Sequence, residues 1–216
     1  NFSMALKINE IYYSVQGEST HAGRPCVFIR LTYCNLRCTY CDSEYTFYEG
    51  KDMEITHIMN EIKQWDCNLV EVTGGEPLFQ DQCINLLNEL VNSNYEVMLE
   101  TGGSLSISDV PKKVIKIVDF KCPSSTMEKK NLWSIVEDLQ PHDEVKFVIG
   151  NREDFDWARD RIIEYSLDKI CTLLFSPTFE KIDPQLIVEW ILVENLPVRM
   201  QMQMHKMIWS PDKKGV

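Results

Sequence analysis

Val27-Phe28-Ile29-Arg30-Leu31 runs almost directly into Cys34-Asn35-Leu36-Arg37-Cys38-Thr39-Tyr40-Cys41, an apolar strand followed by a polar loop with three thiols in a C-x3-C-x2-C spacing. Thiolates are soft ligands suited to iron–sulfur clusters, and four are needed to fill every iron of a [4Fe–4S] cube. This loop supplies three. A cube held here has one iron without a protein ligand, open to a substrate or cofactor. A zinc site would want a fourth Cys or a His close by, and His21 and His57 are badly placed on either side. A disulfide framework belongs to stapled secreted folds, and this chain has the makings of a globular core instead. Buried inert thiols are the plain alternative, but three within an Asn- and Thr-bearing loop do not read as core.

The 216 residues fit one domain, since domains commonly span about 50–250 residues. That domain is expected over residues 4–216, with Asn1-Phe2-Ser3 ahead of Met4 read as an appended remnant. No charged-then-apolar leader is visible, so the expected location is the cytoplasm. Nothing approaches the roughly 18 uninterrupted apolar residues of a membrane span. A formal net charge of -11 argues against nucleic acid, whose phosphates would be repelled, but permits a small anionic substrate met by a local cation. The other five cysteines, Cys26, Cys67, Cys83, Cys122 and Cys171, are scattered and are expected to pack as small hydrophobes.

Strands and helices alternate along the chain. Leu6 to Val15 reads as a strand ending in Gln16-Gly17-Glu18-Ser19, either a polar turn or a close backbone approach to a ligand. Cys26 to Thr32 is the second strand. Its Arg30 is either a snorkelling edge residue or a planar fork for a carboxylate, and the neighbouring cluster loop favours the fork. Thr56 is expected to cap a helix to about Trp65, with Ile58, Met59, Ile62 and Trp65 on its apolar face. Leu69-Val70-Glu71-Val72 leads into Thr73-Gly74-Gly75-Glu76-Pro77, a turn that brings backbone against a flat or charged ligand. A helix over Gln80–Asn92 and a strand over Tyr95–Thr101 follow. Next come a strand over Val114–Phe120, a helix over Asn131–Leu139, a strand over Glu144–Ile149 and a helix over Asp154–Tyr165. Thr172–Phe175 is a strand broken by Ser176-Pro177-Thr178-Phe179, and Asp183-Pro184 starts a helix to about Glu194.

This rhythm predicts an α/β fold, a partial (β/α) barrel of about six mainly parallel strands with helices outside. Ligands on such sheets sit at the carboxyl ends of the strands, where the polar clusters are expected to fall. Val198 to His205 alternates apolar and polar residues, which predicts a last strand with its methionines toward the helices. Arg199, Gln201, Gln203 and His205 then face either solvent or, as the barrel favours, the lumen.

Taken together, Gln16-Gly17-Glu18, Arg30, the cysteine loop, Cys41-Asp42-Ser43, Thr73-Gly74-Gly75-Glu76-Pro77 and the close Gln203-Met204-His205-Lys206-Met207-Ile208-Trp209 resemble the 7-carboxy-7-deazaguanine synthase family of radical S-adenosylmethionine enzymes. The resemblance runs from about Ile8 to the end of the chain. It implies that S-adenosylmethionine binds the open iron, is cleaved to a 5'-deoxyadenosyl radical and is regenerated. Its implied substrate is 6-carboxy-5,6,7,8-tetrahydropterin, attacked at C6, and its product 7-carboxy-7-deazaguanine, formed with loss of ammonia on the way to queuosine. Cys34, Cys38 and Cys41 would hold the cluster. Arg30 would pair with the substrate carboxylate, joined around the pterin by Val15, Gln16, Gly17, Glu18, Thr73, His205 and the terminal Val216. Tyr40, Asp42, Gly75, Glu100, Asp119, Phe120, Lys121, Ser176, Pro177, Thr178 and Phe179 resemble S-adenosylmethionine contacts. Ser43 stands where the family has a Thr as the sole protein ligand of Mg2+, and keeps the hydroxyl without the methyl. Implied partners are a reducing protein such as flavodoxin or ferredoxin and a second copy in a homodimer. The competing readings are a radical-generating activase of a glycyl-radical enzyme and a non-enzymatic iron–sulfur or zinc module.

Overall fold

Two antiparallel pairings open the chain. Strand β1 (Ala5–Val15) pairs with β2 (Pro25–Leu31) on one side and with β3 (Lys51–Glu54) on the other. These coordinates are a computed structural model describing residues 5–211 and 213–216, so the remnant expected at residues 1–3 lies outside the described residues. From β2 onward, β4 (Leu69–Gly74), β5 (Glu96–Thr101), β6 (Ile115–Phe120), β7 (Glu144–Ile149), β8 (Thr172–Pro177) and β9 (Arg199–Met200) add in parallel. The sheet order is β3-β1-β2-β4-β5-β6-β7-β8-β9. Strands β2 and β4–β8 are the six mainly parallel strands that the sequence predicts, and β1, β3 and the two-residue β9 extend them at the edges. Helices α1 (Ile55–Ile62), α2 (Cys83–Asn92), α3 (Arg152–Tyr165) and α4 (Pro184–Glu194) cover one face, and a short α5 (Met204–Ile208) lies near the end.

Alternation along the strands sorts the side chains onto two faces. Val27, Ile29, Leu31, Val70, Val72, Val97, Leu99, Val118, Phe120, Val145, Phe147 and Phe175 are buried against helix residues such as Ile58, Leu86, Leu90, Phe155 and Ile162. The residues between them, among them Arg30, Glu71, Thr73, Glu100, Asp119, Lys146 and Ser176, line a cavity on the opposite face. Cys26, Cys83 and Cys122 are buried and Cys67 and Cys171 half-buried, and all eight cysteines are free.

Several expectations of local structure need correction. Thr56 does not cap α1: the helix starts at Ile55, straight out of β3, with Glu54 in extended conformation before it. The second helix begins at Cys83, because the Gln80 side chain instead binds the backbone of Lys7 and Thr32. No α-helix forms over 131–139. The Asn131 side chain bonds both N–H and C=O of Lys121, and Trp133 stacks on Phe120 at 4.5 Å and on Tyr165 at 4.5 Å, leaving a 3-10 turn at Trp133–Asp138. Lastly, the period-two tail leaves the sheet after Met200. Gln201 N–H donates to Phe175 O at 2.9 Å, its side-chain Oε1 accepts from Ser19 N–H at 2.8 Å, and Met204 N–H donates to Gly17 O at 2.9 Å. The tail is drawn onto the β1–β2 turn.

That turn is a plug. Because β1 runs antiparallel to β2, residues 16–24 lie at the amino ends of the parallel strands, against the opening residues of β5 and β7. Thr20 N–H and Oγ1 donate to Glu144, the first residue of β7, and Arg24 forks onto Glu96, the first residue of β5, at 2.9 and 2.5 Å. Gln16, Gly17 and Glu18 therefore enter the cavity from below. The expectation that every polar cluster gathers at the carboxyl ends of the strands fails for these three.

Glu144 is 2 % exposed, so removing it leaves the Thr20 donors without their acceptor. Glu144→Ala should cost about 1–3 kcal/mol of stability, read as a lower urea midpoint with unchanged slope; an unchanged midpoint would show that the plug holds without it.

Candidate active site

The cavity inside the sheet has a volume of about 870 Å³. The loop after β2 forms its upper wall with Cys34, Cys38 and Cys41, and the plug forms its floor with Gln16, Gly17 and Glu18. Of the residues assigned from the sequence to the cluster, cofactor, substrate or Mg2+, all but Phe120 line the cavity, while Arg199 and Gln201, expected at the lumen, do not. The Phe120 ring lies in the helix-side core against Trp133 and Phe147, so its side chain gives nothing to the cavity. Arg199 is exposed at the edge.

Burial raises all three cluster-loop thiols, Cys38 to about 11, and the nearby Lys121 ammonium pulls the other way. Binding iron must therefore displace their protons. The turn after β4 packs directly on this loop. A Cβ on Gly75 would collide with Tyr33 O and come 2.8 Å from Cys34 Cβ. Glu76, fully buried, accepts from Leu78 N–H at 3.0 Å, Gly102 N–H at 2.6 Å and Thr101 Oγ1 at 2.9 Å, locking that turn to the end of β5. Three buried polar atoms on the wall have no hydrogen-bond partner: Tyr40 Oη, Asp119 Oδ1 and Thr178 Oγ1. Orphaned buried polar groups are rare and point to a missing partner. Three half-buried thiols and these orphans beside them are a donor set that fits a three-cysteine cluster with a polar organic ligand.

Arg30 is not an open fork. Its Nε donates to Glu10 Oε1 at 2.8 Å and its Nη2 to Tyr12 Oη at 2.7 Å, while Nη1 makes no hydrogen bond among the described residues. Burial raises Tyr12 to about 12, so its phenol stays neutral beside the guanidinium. Asp42 accepts from Ser43 Oγ at 2.9 Å and pairs with Lys206 Nζ at 2.7 Å, which ties the cluster loop to α5. Burial would raise Asp42, but Lys206 outweighs it and holds the carboxyl well below the usual range. A Cβ on Gly17 would collide with the His205 ring, so the plug admits the imidazole only because that residue is glycine.

The floor contains what sequence reasoning missed. Lys146, 5 % exposed, pairs with Glu18 Oε2 at 2.8 Å, with Glu100 Oε1, and with Asp119 Oδ2 at 3.6 Å. Glu71 lies beside them and accepts from Gln16 Nε2 at 2.5 Å. Burial and then the neighbouring Glu100 push Glu71 up to about 8. Burial likewise raises Glu100, whereas Lys146 and Gln203 hold Glu18 below its ordinary value. One signal was available: Glu71 sits between two valines of β4, and Lys146 between Val145 and Phe147 of β7.

The model of the Radical SAM superfamily matches residues 28–123, which span the cluster loop and strands β2 to β6. A 7-carboxy-7-deazaguanine synthase of Koribacter versatilis is 43% identical across 98% of this chain and 100% of its own length. One of Chlorobaculum tepidum is 42% identical across 98% and 97%. The chain belongs to the 7-carboxy-7-deazaguanine synthase family. Among solved structures, QueE from Escherichia coli superposes with a TM-score of 0.79 over 94% of this chain and 95% of that one, at 22% identity. SuiB from Streptococcus suis, bound to S-adenosylmethionine, does so with a TM-score of 0.53 over 79% and 45%, at 15% identity. Both likenesses concern the fold. Membership of this radical S-adenosylmethionine family brings with it a [4Fe–4S] cluster and S-adenosylmethionine, and the three cysteines and the orphaned polar wall accommodate both. No helix among the described residues is long and apolar enough to cross a membrane.

In a member of this synthase family the floor network has to survive without a ligand. Lys146→Met strands Glu18 and Glu100 as unpaired buried carboxylates and should cost about 3–5 kcal/mol near pH 8. Removing the cation raises both carboxyl pKa values in the folded state, so the deficit shrinks as pH falls toward 5 and they protonate. Urea unfolding at the two pH values checks this; an equal deficit at both would deny Lys146 that role.

Proposed function

We propose that this chain converts 6-carboxy-5,6,7,8-tetrahydropterin to 7-carboxy-7-deazaguanine with loss of ammonia, in the cytoplasm and on the route to queuosine and related 7-deazapurines. The observation that carries the reading is convergence. The cysteine loop, the Arg30 guanidinium and the His205 tail come from distant parts of the sequence and line one cavity, in a chain 43% identical to a named synthase over its whole length. When bound, the cluster and S-adenosylmethionine supply one-electron chemistry that removes hydrogen from C6 of the pterin.

The protein's own work is holding and orienting. Arg30, fixed by Glu10 and Tyr12, offers Nη1 and the remaining Nη2 proton to the substrate carboxylate, a geometry that suits Arg better than Lys. Val15, Gln16, Gly17, Glu18, Thr73, His205 and Val216 surround the pterin ring. Burial lowers His205 below its ordinary value, so a neutral imidazole meets the ring. Cys34, Cys38 and Cys41 hold the cluster. Tyr40, Asp42, Gly75, Glu100, Asp119, Lys121 and the 176–179 turn hold S-adenosylmethionine, with the Tyr40, Asp119 and Thr178 orphans gaining partners there.

Ser43 holds a mostly hydrated Mg2+. Its hydroxyl donates its proton to Asp42, which leaves the oxygen lone pairs free for a hard cation. A flavodoxin- or ferredoxin-like protein supplies the electron, and the enzyme works as a homodimer.

Anaerobic incubation of the cluster-loaded protein with reductant, S-adenosylmethionine and the carboxytetrahydropterin should yield the deazaguanine; an unchanged pterin would return the activase reading to the front. Arg30→Ala should raise KM for the pterin at least tenfold, the loss of about 1.4 kcal/mol or more expected of a charge-assisted bidentate contact. Uncoupled cleavage of S-adenosylmethionine should change little, and equal losses in both would remove Arg30 from this role. Ser43→Ala should make turnover poorly responsive to added Mg2+, whereas an unaltered titration would clear the hydroxyl of metal binding.

A further inference from the structure

Two layers of side chains face each other in the cavity. In the upper layer Arg30 of β2 stands beside Thr73 of β4, and in the lower layer Phe28 stands beside Glu71. Two residues along a strand separate the layers by roughly 6–7 Å, about the length of a fused bicyclic ring. Arg30 is the cation of the upper layer and is paired with Glu10. Below it Glu71 faces Glu18 of the plug and Glu100 of β5, which share the ammonium of Lys146, and Lys146 also reaches Asp119. Asp119 has its own partner in Lys121 at 2.9 Å. Three carboxyls facing one cation leave a surplus of negative charge in a site closed below by the plug.

Glu71 is the member of that set with no cation of its own. Its one hydrogen bond comes from the Gln16 amide. The titratable groups facing it are Tyr12 of β1, Cys26 of β2, Glu18 of the plug, Glu100 of β5 and Lys146 of β7. Burial, Glu100 and Glu18 oppose its charge and outweigh the Gln16 hydrogen bond and Lys146, which favour it, so with the carboxyl pushed up to about 8 it carries a proton at neutral pH. Gln16 in turn is committed on both sides: its Nε2 donates to Glu71 and its Oε1 accepts from Glu18 N–H at 3.2 Å. The Gln16 amide is thus a brace, and the carboxyl behind it is the polar group with capacity to spare.

We infer that Glu71 is a specificity-determining residue that reads the proton-donating edge of the substrate ring, opposite the carboxylate held by Arg30, and releases its own proton when it does so. The ligand class follows from the two layers: a flat bicycle of about pterin size, with a carboxylate at one end and a guanidine-like row of N–H donors at the other. Donors of that kind neutralise the surplus charge that the proton otherwise covers. A ring carrying acceptors at that edge would meet three carboxyls and be rejected. The inference rests on the pterin reading above.

Binding of the carboxytetrahydropterin to the cluster-loaded enzyme with S-adenosylmethionine and no reductant isolates recognition from turnover. Calorimetry in two buffers of different ionisation enthalpy counts the protons exchanged. Wild type should release close to one proton at pH 7 and bind about tenfold more tightly at pH 9 than at pH 7, as expected for a group near 8 that must ionise to bind. Glu71→Gln should lose both the proton release and the slope while folding normally, and Glu71→Leu should weaken binding at every pH. Arg30→Ala should weaken binding and keep the slope. If wild type binds the pterin with no proton released, or if Glu71→Gln keeps the release and the slope, this inference is overturned and the functional reading stands. If wild type does not bind the pterin at any pH, both fall together.

Discussion

One buried ammonium organises the interior. Lys146 Nζ reaches carboxylates from the plug, from β5 and from β6. A lysine brought this far from water loses most of its hydration; burial alone would push it down, and the close carboxylates outweigh burial and hold it charged well above the ordinary lysine range. The geometry is reciprocal. Glu18 can sit under the sheet only because Lys146 meets it there, and Gln201 and Gln203 of the tail donate to the same Glu18 at 3.2 and 2.8 Å. The plug, the sheet and the closing segment are joined at one carboxylate.

From that joint the chain builds two chemically distinct zones. Above lie three soft thiols on a short loop, held against the Gly74-Gly75 turn by close backbone contact. Below lies a hard, hydrogen-bonded and acidic floor. Arg30 stands between them, its orientation set by Glu10 and Tyr12 before any ligand arrives. Such preorganisation reduces the ordering that a bound ligand must impose. Tyr12 stacks on Phe28 at 4.9 Å, which gives the lower layer an aromatic wall suited to a flat ring.

Much of this was legible in the sequence, for reasons that differ by element. The cysteine loop and the glycine turn are local: spacing and residue type state their chemistry outright. The parallel strands announce themselves because they are buried on both faces and read as apolar runs. The tail misled because Val198 to His205 has the period of a strand, yet the chain exchanges sheet pairing for bonds to Ser19 and Gly17 about 180 residues away in sequence. No local pattern encodes such a distant partner. The helix expected at 131–139 failed similarly, overridden by the Asn131 clasp on Lys121 and by ring stacking on Trp133. Arg30 was read as a fork for a carboxylate, but its partners Glu10 and Tyr12 appear only through the antiparallel register of β1 on β2. Glu71 and Lys146 were visible as charges within largely apolar strands, but neither was singled out.

That oversight has a physical lesson. Glu71 and Lys146 alternate with valine and phenylalanine side chains that pack on the helices, so both face the lumen. Two such strands of opposite sign, β4 with Glu71 and β7 with Lys146, cannot pair directly across the intervening β5 and β6. The charge between them has to pass through Glu100 and Asp119, which lie on those two strands and face the same way. The surplus of carboxyls is then a property of the sheet order itself. Such a surplus destabilises the ligand-free protein, and proteins keep destabilising arrangements of this kind where the relief comes from binding. A floor with one cation too few is therefore better understood as half of a recognition event than as a defect of packing.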